Sequence, residues 1–198
     1  MQASTPRKTV TPAEAVAWFE YFARSEELAL GVTNTCCDCR AHVKSIQMVE
    51  QGIDTRQAWL IKKHEGNETM EFNLHVAPCL MTTWPDGRIV PLVIDPAHCP
   101  FPVQPKIWAN FFHARNPVII DVNNAFTSQD PNADFSGLYE ELGENLLFNK
   151  ASWDERAFRL LNEARQREKR LGLEPAPWIQ KLRKTAPKPS PFSRTDMP

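Results

Sequence analysis

The stretch CCDCRAH at residues 36–42 opens the part of the chain that decides the fold. Apolar side chains recur from here at helical spacing until Gly52, so we predict a helix that starts near Cys36. The chain then changes to short apolar or alternating runs, at residues 58–61, 72–76 and 89–94. Such runs are typical of strands, and Asp86-Gly87 between the last two predicts a hairpin. A helix followed by an antiparallel meander favours the α+β class.

Helices are predicted on both sides of this meander. Residues 11–14 form a capping box with proline at the first helical position, and an apolar face follows as far as Leu30. Downstream we predict a helix at 105–114, a strand at 117–122, a polar loop at 123–134 and helices at 135–148 and 153–171. The expected architecture is an antiparallel sheet packed against an N-terminal helix, with additional C-terminal helices.

Length and proline content predict one domain at residues 1–173 and a tail at 174–198. The chain has 198 residues, which suits one domain of ordinary size. The tail holds six prolines, which remove backbone donors, so this basic segment is predicted to be extended. Within it, Trp178 to Leu182 is the part expected to dock on the body as a short amphipathic turn.

Composition excludes several classes of protein. Hydrophobic residues make up 42% and charged residues 24%, close to the globular average, which argues against wholesale disorder. No apolar run reaches the length of a spanning helix, and none follows the basic residues Arg7 and Lys8. We therefore expect neither a membrane partner nor a signal peptide. Five cysteines with no evident pairing indicate synthesis in a reducing cytoplasm, with export by a non-classical secretion system left open.

The net charge of −1 is unevenly distributed. Residues 151–198 carry eleven basic and six acidic side chains, whereas the first 150 residues are net acidic. The basic residues do not alternate with aromatic ones, so a solvated helix is favoured over a nucleic-acid interface. An acidic partner for the tail stays open.

The cysteine cluster has two interpretations, and the first is zinc. Structural zinc sites usually take their ligands from two separated pairs, yet Cys79 and Cys99 each stand alone. Cys37, Cys39 and His42 on one helix would not all point the same way. The sequence therefore favours a protein without metal or organic cofactor, and a zinc-binding interaction module is the alternative.

The second interpretation is a nucleophile. A cysteine at a helix N-terminus lies near unpaired backbone N–H groups, which favour thiolate and can bind an oxyanion. Such a cysteine needs a histidine to carry protons and a third group to orient the imidazole. His75 lies on a predicted strand, and Asp95 ends the apolar run 89–94. Taken singly, each residue has a more common structural explanation: a histidine with a packing role and an Asp-Pro turn.

Together these motifs resemble the bacterial protein-glutaminase (protein-glutamine deamidase) family. The resemblance rests on Cys-x-x-Arg-Ala-His at 37–42, His-Val-Ala at 75–77, a strand ending Asp-Pro at 95–96, and Pro-Lys-Ile-Trp at 105–108. It covers roughly residues 30–115 and implies a papain- or transglutaminase-like core. It also implies a Cys-His-Asp catalytic triad, which here falls on Cys37, His75 and Asp95.

Several neighbouring residues are given provisional roles. Asp38 opposes thiolate formation at Cys37 by like charge, so Cys36 is the alternative nucleophile. Arg40 is expected either to anchor its helix through a carboxylate or to face water, and His42 to pack behind the site. The candidate walls of the substrate cleft are Trp59 and Trp84, which flank the predicted triad strands.

The function predicted from the sequence is a cysteine amidohydrolase that deamidates glutamine side chains in proteins or peptides through a thioester. The expected partners are a glutamine-bearing protein or peptide and an inhibitor or immunity protein. Delivery as a secreted effector or toxin would suit a chain without a signal peptide. The same triad would serve a cysteine peptidase or a transglutaminase, which are the alternatives among enzymes.

Overall fold

The computed structural model describes residues 7–63, 65–121 and 150–185. Its N-terminal part contains helix α1 (Pro12–Arg24), a 3₁₀ turn (Glu26–Leu28) and helix α2 (Cys37–Glu50). The predicted capping box of α1 is confirmed, because the Thr11 hydroxyl accepts from the Glu14 backbone and the Glu14 carboxylate accepts from the Thr11 backbone. Helix α2 begins directly after Cys36, as the sequence predicts.

Four strands form one antiparallel sheet. They are β1 (Thr55–Ile61), β2 (Leu74–Thr83), β3 (Ile89–Val93) and β4 (Val118–Asp121), in the order β3-β2-β1-β4. The predicted hairpin joins β2 to β3, with Gly87 at a φ of 82°, in the left-handed region where glycine is favoured. The α+β class with an antiparallel sheet packed against α2 is therefore confirmed.

The remaining described helices are α3 (Pro105–Asn110), α4 (Lys150–Leu171) and α5 (Pro177–Lys184). Helix α3 is four residues shorter than predicted, because the chain turns after Asn110 and His113 takes a left-handed φ of 55°. The predicted loop at 123–134 and the predicted helix at 135–148 lie outside the described residues.

The tail needs a correction. Residues 177–184 form a helix whose Ile179 is fully buried, and Trp178 and Leu182 pack against the core that α1 builds. Proline at the first helical position starts this helix rather than blocking it, because the first N–H groups of a helix have no intrahelical partner. The extended conformation is therefore wrong for these residues, while the docking predicted for Trp178 to Leu182 is seen.

Strand β2 lies between two apolar layers, and its side chains alternate between them. Leu80 joins the core formed with α1 and α2, and Val76 packs against Ala41 of α2. Ala77 lies on the opposite face, in the core that contains Trp108 of α3. Because side chains alternate along a strand, His75 shares the face of Ala77. In the part of the chain that the structure describes, no helix has the length and apolar character needed to cross a membrane.

Candidate active site

His75 and Asp95 form a buried pair on the α3 side of the sheet. Ile94 donates its N–H to the Pro78 carbonyl at 2.8 Å, which holds the chain after β3 alongside β2. This contact places Asp95 beside His75, with His75 Nε2 and Asp95 Oδ2 2.9 Å apart. The two residues are only 3% and 4% exposed. The structure therefore brings together two of the three predicted triad residues.

Two further side chains contact the same carboxylate. Trp108 Nε1 donates to Asp95 Oδ2 at 3.0 Å, and His98 Nδ1 lies 3.2 Å from Oδ2. Burial by itself would raise the pKa of the Asp95 carboxyl. The charge of His98 and the hydrogen bonds from His75 and His98 outweigh burial and hold that pKa well below its ordinary value. Asp95 is therefore an anion at neutral pH.

His75 is prepared to act as a neutral base. Burial lowers its pKa, and the hydrogen bond and charge of Asp95 only partly offset that effect. Its ring lies 4.4 Å from the Phe112 ring and 5.5 Å from that of Trp108, between centroids, so aromatic side chains exclude water from it. With a proton on Nε2 shared with Asp95, Nδ1 carries the lone pair that accepts a proton.

Cys37 lies near this pair, across the edge of β2. The Pro78 carbonyl points toward Ile94, and backbone groups two residues apart in a strand point to the same edge. The Val76 N–H therefore points to that edge too, and the Cys37 thiol interacts with it there. Strand β3 pairs with β2 only from Cys79 onward, which leaves this stretch of the edge to α2. The hydrogen bonds of the described residues include none between Cys37 Sγ and His75.

The thiols at the start of α2 differ in acidity. Burial raises the pKa of Cys37 to about 11, and the Asp38 carboxylate adds to the effect. A hydrogen bond from the Cys39 thiol lowers the pKa of Cys36 to about 6. Cys36 takes a left-handed φ of 59°, and its Sγ lies 3.8 Å from the Leu160 carbonyl of α4. The more acidic thiol therefore faces α4, whereas Cys37 faces β2.

Two buried cations fix α2 to its surroundings. Arg40 Nη1 donates to the Val32 carbonyl at 2.9 Å and is buried, so the expectation of a carboxylate partner or of solvent is wrong. Lys44 Nζ donates to the Ile94 carbonyl at 2.9 Å, next to Asp95. Burial lowers the pKa of Lys44 to about 8, although the charge of Asp95 acts in the opposite direction. His42 is buried on the same helix, as expected.

The two predicted cleft tryptophans lie elsewhere. Trp59 is 1% exposed and packs between Ala41 and Val76, on the face of the sheet opposite to His75. Trp84 is 37% exposed but begins the hairpin at the far end of β2. The structure brings neither of them to His75 and Asp95.

Sequence reasoning gave no role to three residues that contact the site. Trp108 is the last residue of the Pro-Lys-Ile-Trp motif at 105–108, and this motif is the sequence feature that could have identified it. His98 and Lys44 carried no local signal, because a lone histidine after a turn and a lone lysine in a helix are common.

One cluster of described side chains has donor atoms close enough together to surround a metal ion. His75, Asp95 and His98 are the one described group of His, Cys, Asp and Glu whose ligand atoms lie within 4.8 Å of one another. These atoms are already joined by the direct hydrogen bonds given above. The cluster of Cys36, Cys37 and Cys39 forms no such group in the described chain, and all five cysteines are free thiols. We therefore assign no metal ligands.

The structure therefore combines an α+β fold with a buried His75–Asp95 pair and a helix that begins with Cys37. Residues 15–112 match the family model described as glutaminase, and through this segment the chain belongs to that family. No curated protein matches the sequence.

Comparison with solved structures finds a similar fold in a pro-protein-glutaminase. A crystal structure of pro-protein-glutaminase is 17% identical, with a TM-score of 0.50 over 62% of this chain and 52% of its own. A crystal structure of protein-glutaminase is 18% identical, with a TM-score of 0.48 over 61% and 78% of the two chains. The NMR structure of protein-glutaminase from Chryseobacterium proteolyticum is 15% identical, with a TM-score of 0.45 over 64% and 78%. The chain thus spans about half the length of the pro-protein-glutaminase structure.

Proposed function

We propose that this protein is a cysteine amidohydrolase that converts glutamine side chains in proteins or peptides to glutamate, on a papain- or transglutaminase-like core. The observation that carries the proposal is the buried His75–Asp95 pair, 2.9 Å apart, in a segment that matches a glutaminase family. The helix that starts with Cys37 lies against the same strand as His75. A histidine oriented by a carboxylate next to a helix-terminal thiol is the arrangement that acyl transfer requires.

In the proposed reaction, Cys37 Sγ bonds to the carboxamide carbon of glutamine. His75 Nδ1 takes the thiol proton as the bond forms, because a thiol with a pKa of about 11 is protonated at neutral pH. His75 then returns that proton to the departing nitrogen, the C–N bond breaks and ammonia leaves. Water, deprotonated by His75, attacks the thioester and releases glutamate and the free thiol.

Backbone and buried charge supply the remaining stabilisation in this proposal. The backbone N–H groups of Asp38 and Val76 interact with the Cys37 thiol, so they are the donors that would stabilise an oxyanion formed on the carbon that Cys37 attacks. Asp95 holds the imidazole with its proton on Nε2, which leaves Nδ1 for the substrate side. Lys44 and Trp108 keep Asp95 in place from two other directions.

Ammonia release from an unfolded, glutamine-rich protein tests the proposal. We expect release by the wild type, conversion of glutamine to glutamate in peptide mass spectra, and no release by Cys37→Ala. Cys36→Ser is the matched control, since it removes the neighbouring thiol and should retain activity. Cleaved peptide bonds would identify a peptidase instead, and incorporation of an added primary amine would identify a transglutaminase. An inactive wild type that binds one zinc ion would favour the interaction module.

A further inference from the structure

A second imidazole contacts the carboxylate that orients His75. We propose that His98 is a positioning residue that shares Asp95 with His75 and extends to lower pH the range in which His75 remains a neutral base. This inference rests on the proposed function for its catalytic meaning. The effect of His98 on the titration of His75 through the shared Asp95 carboxylate can be measured whether or not the protein releases ammonia.

The backbone after β3 places His98 with little freedom. The N–H groups of His98 and Cys99 both donate to the Asp95 carbonyl, at 3.2 and 2.9 Å, so the chain turns back on itself after Asp95. This turn directs His98 Nδ1 to the Asp95 carboxylate, 3.2 Å from Oδ2 and 3.4 Å from Oδ1. The geometry is local, because only three residues separate the two side chains.

The three donors to Asp95 do not contact it equally. His75 and Trp108 both donate to Oδ2, whereas His98 is the donor that also reaches Oδ1. The His98 ring stands edge-on to the His75 ring, with centroids 4.6 Å apart at an interplanar angle of 77°. Its contact with both carboxylate oxygens therefore limits rotation of the Asp95 carboxylate.

Of the three donors to Asp95, His98 is the one most exposed to solvent. Its side chain is 15% exposed, whereas that of His75 is 4% exposed and Trp108 is fully buried. Solvent therefore reaches His98 more readily than it reaches the other two donors.

The sign of the effect follows from the charges that surround the pair. A charged His98 stabilises the Asp95 anion and repels a second proton on His75. From α2, Arg40 repels that proton as well, and Lys44 acts on Asp95. Arg40 is always charged, and Lys44, with a pKa of about 8, titrates on the alkaline side. Both Arg40 and a charged His98 therefore oppose protonation of His75, and His98 is the one of the two that also contacts Asp95.

The test uses His98→Gln, which is uncharged at every pH and retains an amide N–H that can donate to Asp95. Proton NMR of the imidazole C–H signals gives the titration midpoint of His75 in the wild type and in the variant. We expect that midpoint to rise by about half a pH unit in His98→Gln. The acid limb of kcat/KM for ammonia release should move to higher pH by the same amount, while KM at pH 8 stays within about twofold.

Two further variants keep the comparison interpretable. His113→Asn removes an exposed histidine at a left-handed position that asparagine tolerates, and it should leave the His75 midpoint unchanged. Trp108→Phe removes a neutral donor to Asp95, so it should slow turnover without the same displacement of the acid limb. Thermal melts show whether each variant is folded, and His98→Asn replaces His98→Gln if the latter melts early.

The outcomes separate the two proposals. An unchanged His75 midpoint in folded His98→Gln overturns the role of His98, even if the wild type releases ammonia normally. A raised midpoint in a wild-type background that releases no ammonia supports the His98–Asp95–His75 coupling and overturns the proposed function. A midpoint that falls would show that the His98 contact acts with the opposite sign, and it also overturns the inference.

Discussion

At the scale of single residues, the three thiols at the start of α2 illustrate how position alters chemistry. Cys36, Cys37 and Cys39 lie within four residues, yet they face α4, β2 and the core respectively. The hydrogen bond that Cys39 donates lowers the pKa of Cys36 and raises the pKa of Cys39, whereas burial raises the pKa of Cys37. Cys36 is thus the acidic thiol, whereas its neighbour Cys37 is the thiol that lies against the strand of His75.

This division predicts different outcomes for labelling and for activity. Brief treatment with iodoacetamide at pH 7 should alkylate Cys36 first, because its pKa of about 6 makes it largely thiolate there. The buried Cys79 and Cys99 should react last. Peptide mass spectrometry gives the order. Preferential labelling of Cys37 would contradict the acidity assigned to both thiols.

The activity arm of the same experiment uses single substitutions. Cys37→Ala should lower kcat for ammonia release by at least about a hundredfold, since a nucleophile cannot be replaced by packing. Cys36→Ser should remain within about threefold of the wild type. The reverse result, loss of activity in Cys36→Ser alone, would move the nucleophile by one residue.

At the scale of elements, α2 is attached to the end of β3 through one buried lysine. Lys44 lies two turns beyond Cys37, hence on the same side of the helix, and its Nζ donates to the Ile94 carbonyl. The helix that carries the nucleophile and the strand end that carries Asp95 are therefore joined directly. Burial of the Lys44 ammonium group away from water costs free energy of folding.

That cost predicts an unusual pH dependence of stability. The folded-state pKa of Lys44, about 8, lies below its unfolded value of about 10.4, so between these pH values the unfolded chain binds more protons. The contribution of Lys44 to the free energy of unfolding should therefore rise with pH in this window, by up to about 3 kcal/mol, while the buried thiols, whose pKa values are raised, contribute in the opposite direction.

Urea unfolding at pH 7.5 and pH 10 measures the effect. The thiols are the same in both proteins, so Lys44→Met should become less stable relative to the wild type as the pH rises from 7.5 to 10, because methionine binds no proton. Lys169→Met, at an exposed position in α4, is the matched control and should follow the wild type. Equal pH dependence in the wild type and Lys44→Met would show that Lys44 is not perturbed.

At the scale of the whole molecule, the C-terminal helix α5 supports the site from behind. Trp178 Nε1 donates to the Pro96 carbonyl at 2.9 Å, one residue beyond Asp95. Arg183 donates to the Ser25 carbonyl at 2.9 Å, after the end of α1. Together with the buried Ile179, these contacts join the end of the described chain to its first helix and to the turn that carries Asp95.

Loss of packing in α5 should therefore be costly. Ile179→Ala removes a fully buried side chain, so the free energy of unfolding should fall by about 2–4 kcal/mol, as measured by urea denaturation. Leu171→Ala removes a comparable side chain that is 54% exposed and should cost less than about 1 kcal/mol. Similar losses in the two variants would show that α5 does not pack as described.

Local signals in the sequence determined the elements that carry the site. Three of these features depend only on residues close in sequence: the capping box at Thr11, the helix start at Cys36 and the Asp86-Gly87 turn. They could therefore be predicted without knowledge of the tertiary structure. The identities of His75 and Asp95 followed from short motifs. Their pairing was predictable because an antiparallel meander places the ends of neighbouring strands together.

The tertiary structure alone decided how the site is supported. Trp108 and Lys44 reach Asp95 or its strand end from two separate helices, and no local pattern encodes such convergence. Burial raised the pKa of Cys37, because the free energy of a charge depends on what surrounds it in space, and packing placed Trp59 in the core on the other face of the sheet. Sequence separation carries no information about those surroundings, and only the packing of α2, α3 and α5 around the sheet supplied it.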